Sequence, residues 1–228
     1  MELPENHLSQ MRISYETYEL TEQQIADNPL DQFNLWLSQA IDCGADSIPE
    51  PNAMVLSTIG SEGQVHSRTV LLKGLDPAGL VFYTNYESQK GQDIKHDNRV
   101  SVLFPWYPLH RQVIVTGTVA KIPSEESQQY FDTRPHKSKL GALVSSQSQV
   151  ISGRTQLEQD LTELELAYPE GSQVPLPASW GGYRIQVDSM EFWQGRRSRL
   201  HDRLKFIRAN ESGLLNQAAA WQITRLSP

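Results

Sequence analysis

The chain has 228 residues, 38% of them hydrophobic and 21% charged, enough to bury a core of ordinary domain size. Lys and Arg number 20 against 27 Asp and Glu, a formal charge of −7, which is the wrong sign for a dedicated nucleic-acid binder. The lone cysteine, Cys43, excludes an internal disulfide, and no His or Cys pair has zinc spacing, so neither a disulfide scaffold nor a metal site is expected.

Residues 1–20 read as a polar, flexible leader without the apolar core of a signal peptide, and no later run approaches the ~20 apolar residues of a membrane span. A soluble cytoplasmic protein without membrane or nucleic-acid partners is expected. Pro and Gly are scattered, so residues 21–228 read as a single domain. Asn28 and Pro29 predict a helix start, and Leu30, Phe33, Leu37 and Ile41 follow as an apolar stripe until Gly44.

From Ala53 the period changes. Runs over Ala53–Ile59, Gln64–Leu72, Leu80–Thr84, Arg99–Phe104 and Gln112–Ile122 are separated by compact turns at 60–63 and 76–79, which predicts antiparallel hairpins. The gaps are too short for the crossover helices of a parallel sheet. Helices are predicted over Ser124–Thr133, capped by its Ser-Glu-Glu start, and over Arg154–Tyr168, with Leu157, Leu161, Leu164 and Tyr168 on one face. Strands resume at Gly182–Val187, Met190–Trp193, Leu204–Arg208 and Trp221–Leu226. The fold class is mainly β with flanking helices.

No Gly-rich dinucleotide fingerprint or Walker-type lysine loop is present. Cations and hydroxyls instead stand in or beside apolar strands, where a charge needs a partner. Arg68 and Lys73 read either as strand-end cations with heads in water or as ligand-binding groups. Ser88-Gln89-Lys90 opens a helix, either an ordinary exposed start or an anion site. Tyr130 and Arg134, four apart on one helix face with Ser138 at the following turn, can converge on one anion, or Arg134 can serve a structural ion pair. Arg196, Arg197, Arg199 and Arg203 crowd eight residues beside Trp193 and His201; such a run is usually a solvated loop. Together they describe cationic sites and an aromatic wall suited to phosphates on planar ligands.

These segments also carry a resemblance. Arg68-Thr69-Val70-Leu71-Leu72-Lys73, Val81-Phe82-Tyr83-Thr84-Asn85, Leu103-Phe104-Pro105-Trp106, Arg111-Gln112-Val113, Tyr130-Phe131 to Arg134-Pro135, Ser146-Gln147-Ser148, Trp180-Gly181-Gly182 and Phe192-Trp193-Gln194-Gly195 to Arg199-Leu200-His201-Asp202-Arg203 resemble, in order and spacing, the pyridoxamine 5′-phosphate oxidase family. The likeness runs from about Leu8 to the terminal Pro228. It implies an FMN-binding split β-barrel working as a homodimer with each flavin at the subunit interface. The implied reaction oxidises pyridoxine 5′-phosphate or pyridoxamine 5′-phosphate to pyridoxal 5′-phosphate, with a hydride passing to FMN and O2 reoxidising it to give hydrogen peroxide.

By that resemblance Arg68, Thr69, Val70, Leu71, Leu72, Lys73, Tyr83, Thr84, Gln89, Lys90, Gln112, Gln147, Ser148, Trp193 and Arg203 match FMN-contacting positions. Lys73, Tyr130, Arg134 and Ser138 match those holding the substrate phosphate, and Arg12 and Tyr15 are retained in a leader that otherwise matches loosely. Arg199 and His201 match the pair beside the substrate ring, Arg199 as the main orienting group and His201 as a hydrogen-bond partner or proton carrier. Gln89 stands where many members have Arg. Three alternatives stay open: a related split-barrel flavoenzyme acting on another planar substrate, a non-catalytic FMN or pyridoxal phosphate carrier, and a plain interaction module.

Overall fold

The structure, a computed structural model, describes residues 13–15, 18–210 and 212–228. Among the described residues are five α-helices, α1 (Pro29–Asp42), α2 (Gln89–His96), α3 (Ser124–Thr133), α4 (His136–Val144) and α5 (Arg154–Ala167). Nine strands accompany them: β1 (Ala53–Ile59), β2 (Val65–Leu71), β3 (Gly74–Asp76), β4 (Gly79–Asn85), β5 (Arg99–Trp106), β6 (Arg111–Lys121), β7 (Trp180–Gln194), β8 (Asp202–Arg208) and β9 (Trp221–Arg225). The sheet order is β2-β1-β5-β6-β7-β4-β3, with β8 paired to β7 and β9 to β8. β1 runs antiparallel to both β2 and β5, β4 to β3 and β7, and β8 to β7 and β9.

The chain divides into two compact units, and β5, β6 and β7 each contribute to both. The first contains, of the described residues, those up to Pro51 with Phe104–Ile114 and Ser189–Pro228; the second contains Asn52–Leu103 and Val115–Asp188. In the first, Asn28 caps α1 by accepting the Asp31 N–H at 3.0 Å, and Pro29 starts it. The buried face is Pro29, Gln32, Phe33, Trp36 and Ala40, not the predicted stripe, and Ile41 is 58% exposed. The face turns because the aromatic rings have the most area to bury: Phe33 meets Phe104 at 4.9 Å and Trp36 meets Phe192 edge-on at 5.2 Å. Phe192 in turn packs edge-on against Phe206.

In the second unit β1 alternates as predicted, with Met54, Leu56 and Thr58 inward. The turn at 76–79 is shorter than expected because β3 pairs directly with β4, and Asp76 accepts the Ala78 N–H at 2.8 Å. Two predicted strands over 182–193 are one continuous strand, β7, since Asp188 and Ser189 keep the out–in alternation instead of turning. Pro123 stands at the N-cap of α3 in place of a Ser side-chain cap, and Glu125 and Glu126 fill the first turn where the dipole favours acids. α3 ends at Thr133 because Pro135 drives Arg134 into an extended conformation, and α4 follows, a helix the sequence reading took as a turn. Phe131, Leu140, Val174 and Trp180 form a buried cluster covered by Leu161, Leu164 and Tyr168 from α5 and its end.

Gly117 of β6 approaches β7 so closely that a Cβ would lie 1.9 Å from the Gln186 carbonyl oxygen, whereas nothing lies within 4 Å of a Cβ at Gly141 in α4. Gly117→Ala is therefore expected to lower unfolding stability by about 3 kcal/mol or more. Gly141→Ala should raise it by roughly 0.5–1 kcal/mol through helix propensity. Urea unfolding of the two variants checks the pair, and a tolerated alanine at 117 would refute the close β6–β7 approach.

Candidate active site

The second unit brings together most of the residues singled out for phosphate and flavin. Arg68, Thr69, Val70, Leu71 and Lys73 from β2 and its exit, Tyr83 and Thr84 from β4, Lys90 from α2, and Tyr130, Arg134 and Gln147 from α3 and beyond line one cavity of about 340 Å³. Trp180 completes the wall. Leu72 is buried and does not reach the lining; Ser138, in the first turn of α4, and Ser148, exposed with φ of 72°, are not part of it. Gln89 joins instead the wall of a separate cavity of about 630 Å³ with His66 and Asp93.

One end of the smaller cavity is cationic. Ser88 caps α2 by accepting the Gly91 N–H, and the next turn seats Lys90, 9% exposed, with its Nζ donating to Gln147 Oε1 at 2.7 Å and Ser88 Oγ at 3.3 Å. Burial, with a smaller contribution from the Arg68 charge, pushes the Lys90 ammonium down to about 8, and Asp93 partly opposes this. Arg68 Nη1 donates to Thr58 Oγ1 at 2.6 Å and to the His66 and Leu56 carbonyls, and Nη2 lies 3.5 Å from Asp93 Oδ2. Both cations thus sit on the wall with fixed directions, which suits an anion with several oxygens.

The other end is aromatic. Tyr83 stacks on Tyr130 at 3.9 Å and on Trp180 at 5.4 Å, and the Arg134 guanidinium lies over the Trp180 ring at 4.7 Å. Because the helix stops at Thr133, Arg134 reaches this place from an extended backbone and not from the helix face shared with Tyr130 that the spacing predicted. Its Nη1 is buried with no hydrogen-bond partner, a donor that a bound anion would satisfy. Burial lowers the Arg134 value and raises that of Tyr130, whose hydroxyl therefore stays protonated at neutral pH.

Other singled-out residues lie in the first unit. Tyr15 packs on His110 at 4.2 Å, meets Trp193 edge-on at 6.2 Å and lies 5.9 Å from His201, whose ring is 4.5 Å from Trp193. Tyr15, Arg199 and His201 line a cavity of about 390 Å³ with Arg196 and Ser198, and Ser198 and Arg199 are both left-handed, at φ of 56° and 63°. Of the arginine run, Arg196 bonds the Tyr18 carbonyl and Glu19, and Arg203 pairs with buried Glu191 at 2.7 Å. Gln112 is half-buried on β6, and Arg12 lies outside the described residues. His201 Nδ1 accepts the Arg196 N–H at 3.0 Å, so the neutral ring carries its proton on Nε2. Burial and the Arg199 charge lower the His201 value, with Asp202 opposing.

The fold is that of a split β-barrel protein, and its second unit carries a cavity lined by cations and aromatic rings. Residues 44–168 match the family model described as pyridoxamine 5′-phosphate oxidase, and residues 180–228 match that of the pyridoxine 5′-phosphate oxidase C-terminal dimerisation region. The chain belongs to the pyridoxamine 5′-phosphate oxidase family. It is 48% identical to the pyridoxine/pyridoxamine 5′-phosphate oxidase of Streptomyces avermitilis, over 96% of this chain and 95% of that one. Among solved structures it is similar to PhzG from Burkholderia lata, crystallised with tetrahydrophenazine-1-carboxylic acid, with a TM-score of 0.80, 25% identity and coverage of 94% and 100%. A pyridoxamine 5′-phosphate oxidase-related FMN-binding protein from Nostoc punctiforme shares the fold at a TM-score of 0.64 and 14% identity, over 86% and 97% of the two chains.

Sequence reasoning overlooked Trp180 in the wall, and Thr58 and Asp93 as partners of Arg68. For Asp93 a signal exists, since it lies one helical turn after Gln89, which donates to its Oδ1 at 2.9 Å. For His201 the geometry sets a pH expectation: it titrates below the ordinary histidine value, and the Arg196 amide shifts with it as protonation removes the Nδ1 acceptor. A ¹H–¹⁵N titration checks this, and an Arg196 amide indifferent to the His201 transition would refute the assigned tautomer.

Proposed function

We propose that this chain oxidises pyridoxine 5′-phosphate and pyridoxamine 5′-phosphate to pyridoxal 5′-phosphate with FMN as cofactor, as a cytoplasmic homodimer. The observation that supports the reading is the cavity itself, whose lining includes four cations, Arg68, Lys73, Lys90 and Arg134, the last with a buried Nη1 that has no hydrogen-bond partner. The match of residues 180–228 to the dimerisation region supports the homodimer. FMN supplies the hydride acceptor and, through its reoxidation by O2, hydrogen peroxide. The wall fits that cofactor: two cations suit its phosphate, and Thr84 and Gln147, linked at 3.2 Å, offer neutral polar groups.

In this reading Arg68 and Lys90 bind the FMN phosphate, while Lys73, Tyr130 and Arg134, with Ser138, hold the phosphate of the substrate. Fixing the substrate by its phosphate leaves its ring to be oriented, a role we assign to Arg199, with His201 Nε2–H as donor to the substrate's polar edge. Trp193 and Tyr15 limit the ring's tilt beside His201. Gln112 and Arg203 are assigned to the flavin. A different planar substrate is not favoured, because it would have no use for the second set of phosphate ligands. A carrier role predicts tight binding without turnover.

Aerobic assay of FMN-loaded protein with pyridoxine 5′-phosphate should give pyridoxal 5′-phosphate and hydrogen peroxide in equal amounts. Arg134→Ala should raise KM roughly 10- to 100-fold, the loss expected of a charge-assisted phosphate contact. Arg199→Ala should lower kcat about 100-fold or more while FMN binding is unchanged. Absence of both products with alcohol and amine substrates would reject the oxidase reading.

The depressed Lys90 value sets a second expectation. Its charge is complete well below pH 8 and is lost as pH rises through about 8, so phosphate attraction weakens in that direction. FMN affinity, followed by quenching of flavin fluorescence, should fall by up to about tenfold per pH unit above that point. Lys90→Met should bind FMN more weakly at pH 7 and lose this dependence; a flat wild-type profile to pH 9.5 would exclude Lys90 from the phosphate site.

A further inference from the structure

Asp93 is the point on which the cationic end of the second unit's cavity converges. Its side chain is 2% exposed, and it accepts from Thr58 Oγ1 at 2.6 Å, Gln89 Nε2 at 2.9 Å and His66 Nδ1 at 3.0 Å, with Arg68 Nη2 at 3.5 Å. Burial pushes its carboxyl up, but the donors from Thr58, Gln89 and His66 outweigh this and hold it below the usual carboxylate range. It is therefore an anion at any pH at which the protein works. Among the described residues it is the one carboxylate within ion-pair distance of Arg68, and Lys90 has only the neutral oxygens of Ser88 and Gln147 as partners.

We infer that Asp93 is a built-in counter-charge of the cofactor-phosphate site: it holds Arg68 in place and offsets the repulsion between Arg68 and Lys90 without flavin, and competes with the FMN phosphate for the two cations. The inference rests on the assignment of Arg68 and Lys90 to that phosphate. Two cations side by side in a dry wall repel each other, and an anion locked behind them relieves the repulsion. A phosphate delivers the same relief from the cavity side, so once it is bound the carboxylate is redundant for the cations and repels the incoming dianion. Because Asp93 is buried and held by three donors, it cannot swing away when the phosphate arrives. The carboxylate thus stabilises the flavin-free protein more than the loaded one, and by linkage it weakens FMN binding. Asp93 touches no reacting atom and acts through Arg68.

Riboflavin lacks the phosphate and supplies the control. FMN and riboflavin dissociation constants are measured by flavin fluorescence for wild type and Asp93→Asn, together with the Tm of flavin-free and FMN-saturated protein. Asp93→Asn keeps the side chain's size and removes its charge. It should increase the preference for FMN over riboflavin about tenfold, lower the Tm of flavin-free protein, and leave the Tm of FMN-saturated protein nearly unchanged. A variant that folds only in the presence of FMN supports the inference in the same way, the phosphate replacing the missing charge. A preference that is unchanged or reduced overturns it, as does a variant that fails to fold even at saturating FMN. A wild type that binds both flavins equally would instead reject the assignment of Arg68 and Lys90 to the phosphate, and this inference with it.

Discussion

Seating positive charge in a wall from which water is largely removed is the constraint to which the second unit is built. Lys90 is nearly buried yet has no carboxylate of its own, and Arg68 directs its Nη1 at neutral oxygens of Leu56, Thr58 and His66. The arrangement holds only because α2 begins where it does: the Ser88 cap sets the first turn, which places Lys90 on the cavity and Asp93 one turn further behind Arg68. β1 and β2 are tied into the same arrangement, since Arg68 pairs with Leu56 in the ladder and its Nη1 reaches Thr58 two residues along β1. Strand register, helix start and charge balance are thus one problem with one solution.

Among its described residues, the first unit solves a related problem without an acid. Arg111 is 6% exposed, with Trp36 at 4.5 Å and Tyr18 at 5.0 Å from its guanidinium carbon, and it donates to the amide oxygens of Gln194 and Gln39. Ring faces and amide dipoles spread the compensation over several weak partners, which keeps the charge delocalised and the surroundings dry. The cation also couples α1 to the start of β6 and the end of β7, so the helix face turns toward Trp36 and away from the stripe of Leu37 and Ile41.

Much of this was legible in the residues. Period-two runs located β1, β2, β4, β5 and β6 to within a residue or two, because alternation of burial is imposed by the pleat itself, whereas the three-residue β3 is too short to show a period. The reading failed where two local rules compete. Asp188 and Ser189 are turn formers by composition, yet pairing on both sides of β7 overrides them. Pro135 was read as the end of a motif, although its effect on the residue before it decides how Arg134 approaches the rings. The site was legible as a set of residue types and, through resemblance, as a set of positions; its charge balance was not, since Asp93 only becomes the partner of Arg68 once β2 and α2 are in contact.

The helix α5 has no buried residue and packs on the buried cluster of the second unit through Leu161, Leu164 and the adjoining Tyr168. Such an element opens at a small fraction of the global unfolding free energy, so its amides exchange with solvent long before those of the sheet. The cluster it covers contains Phe131 and Trp180, the two rings against which Arg134 is seated. Each opening of α5 admits water behind those rings and raises the local dielectric around the guanidinium. In the proposed reading, where Arg134 holds the substrate phosphate, that grip is linked to the breathing of a surface helix that lines no part of the cavity.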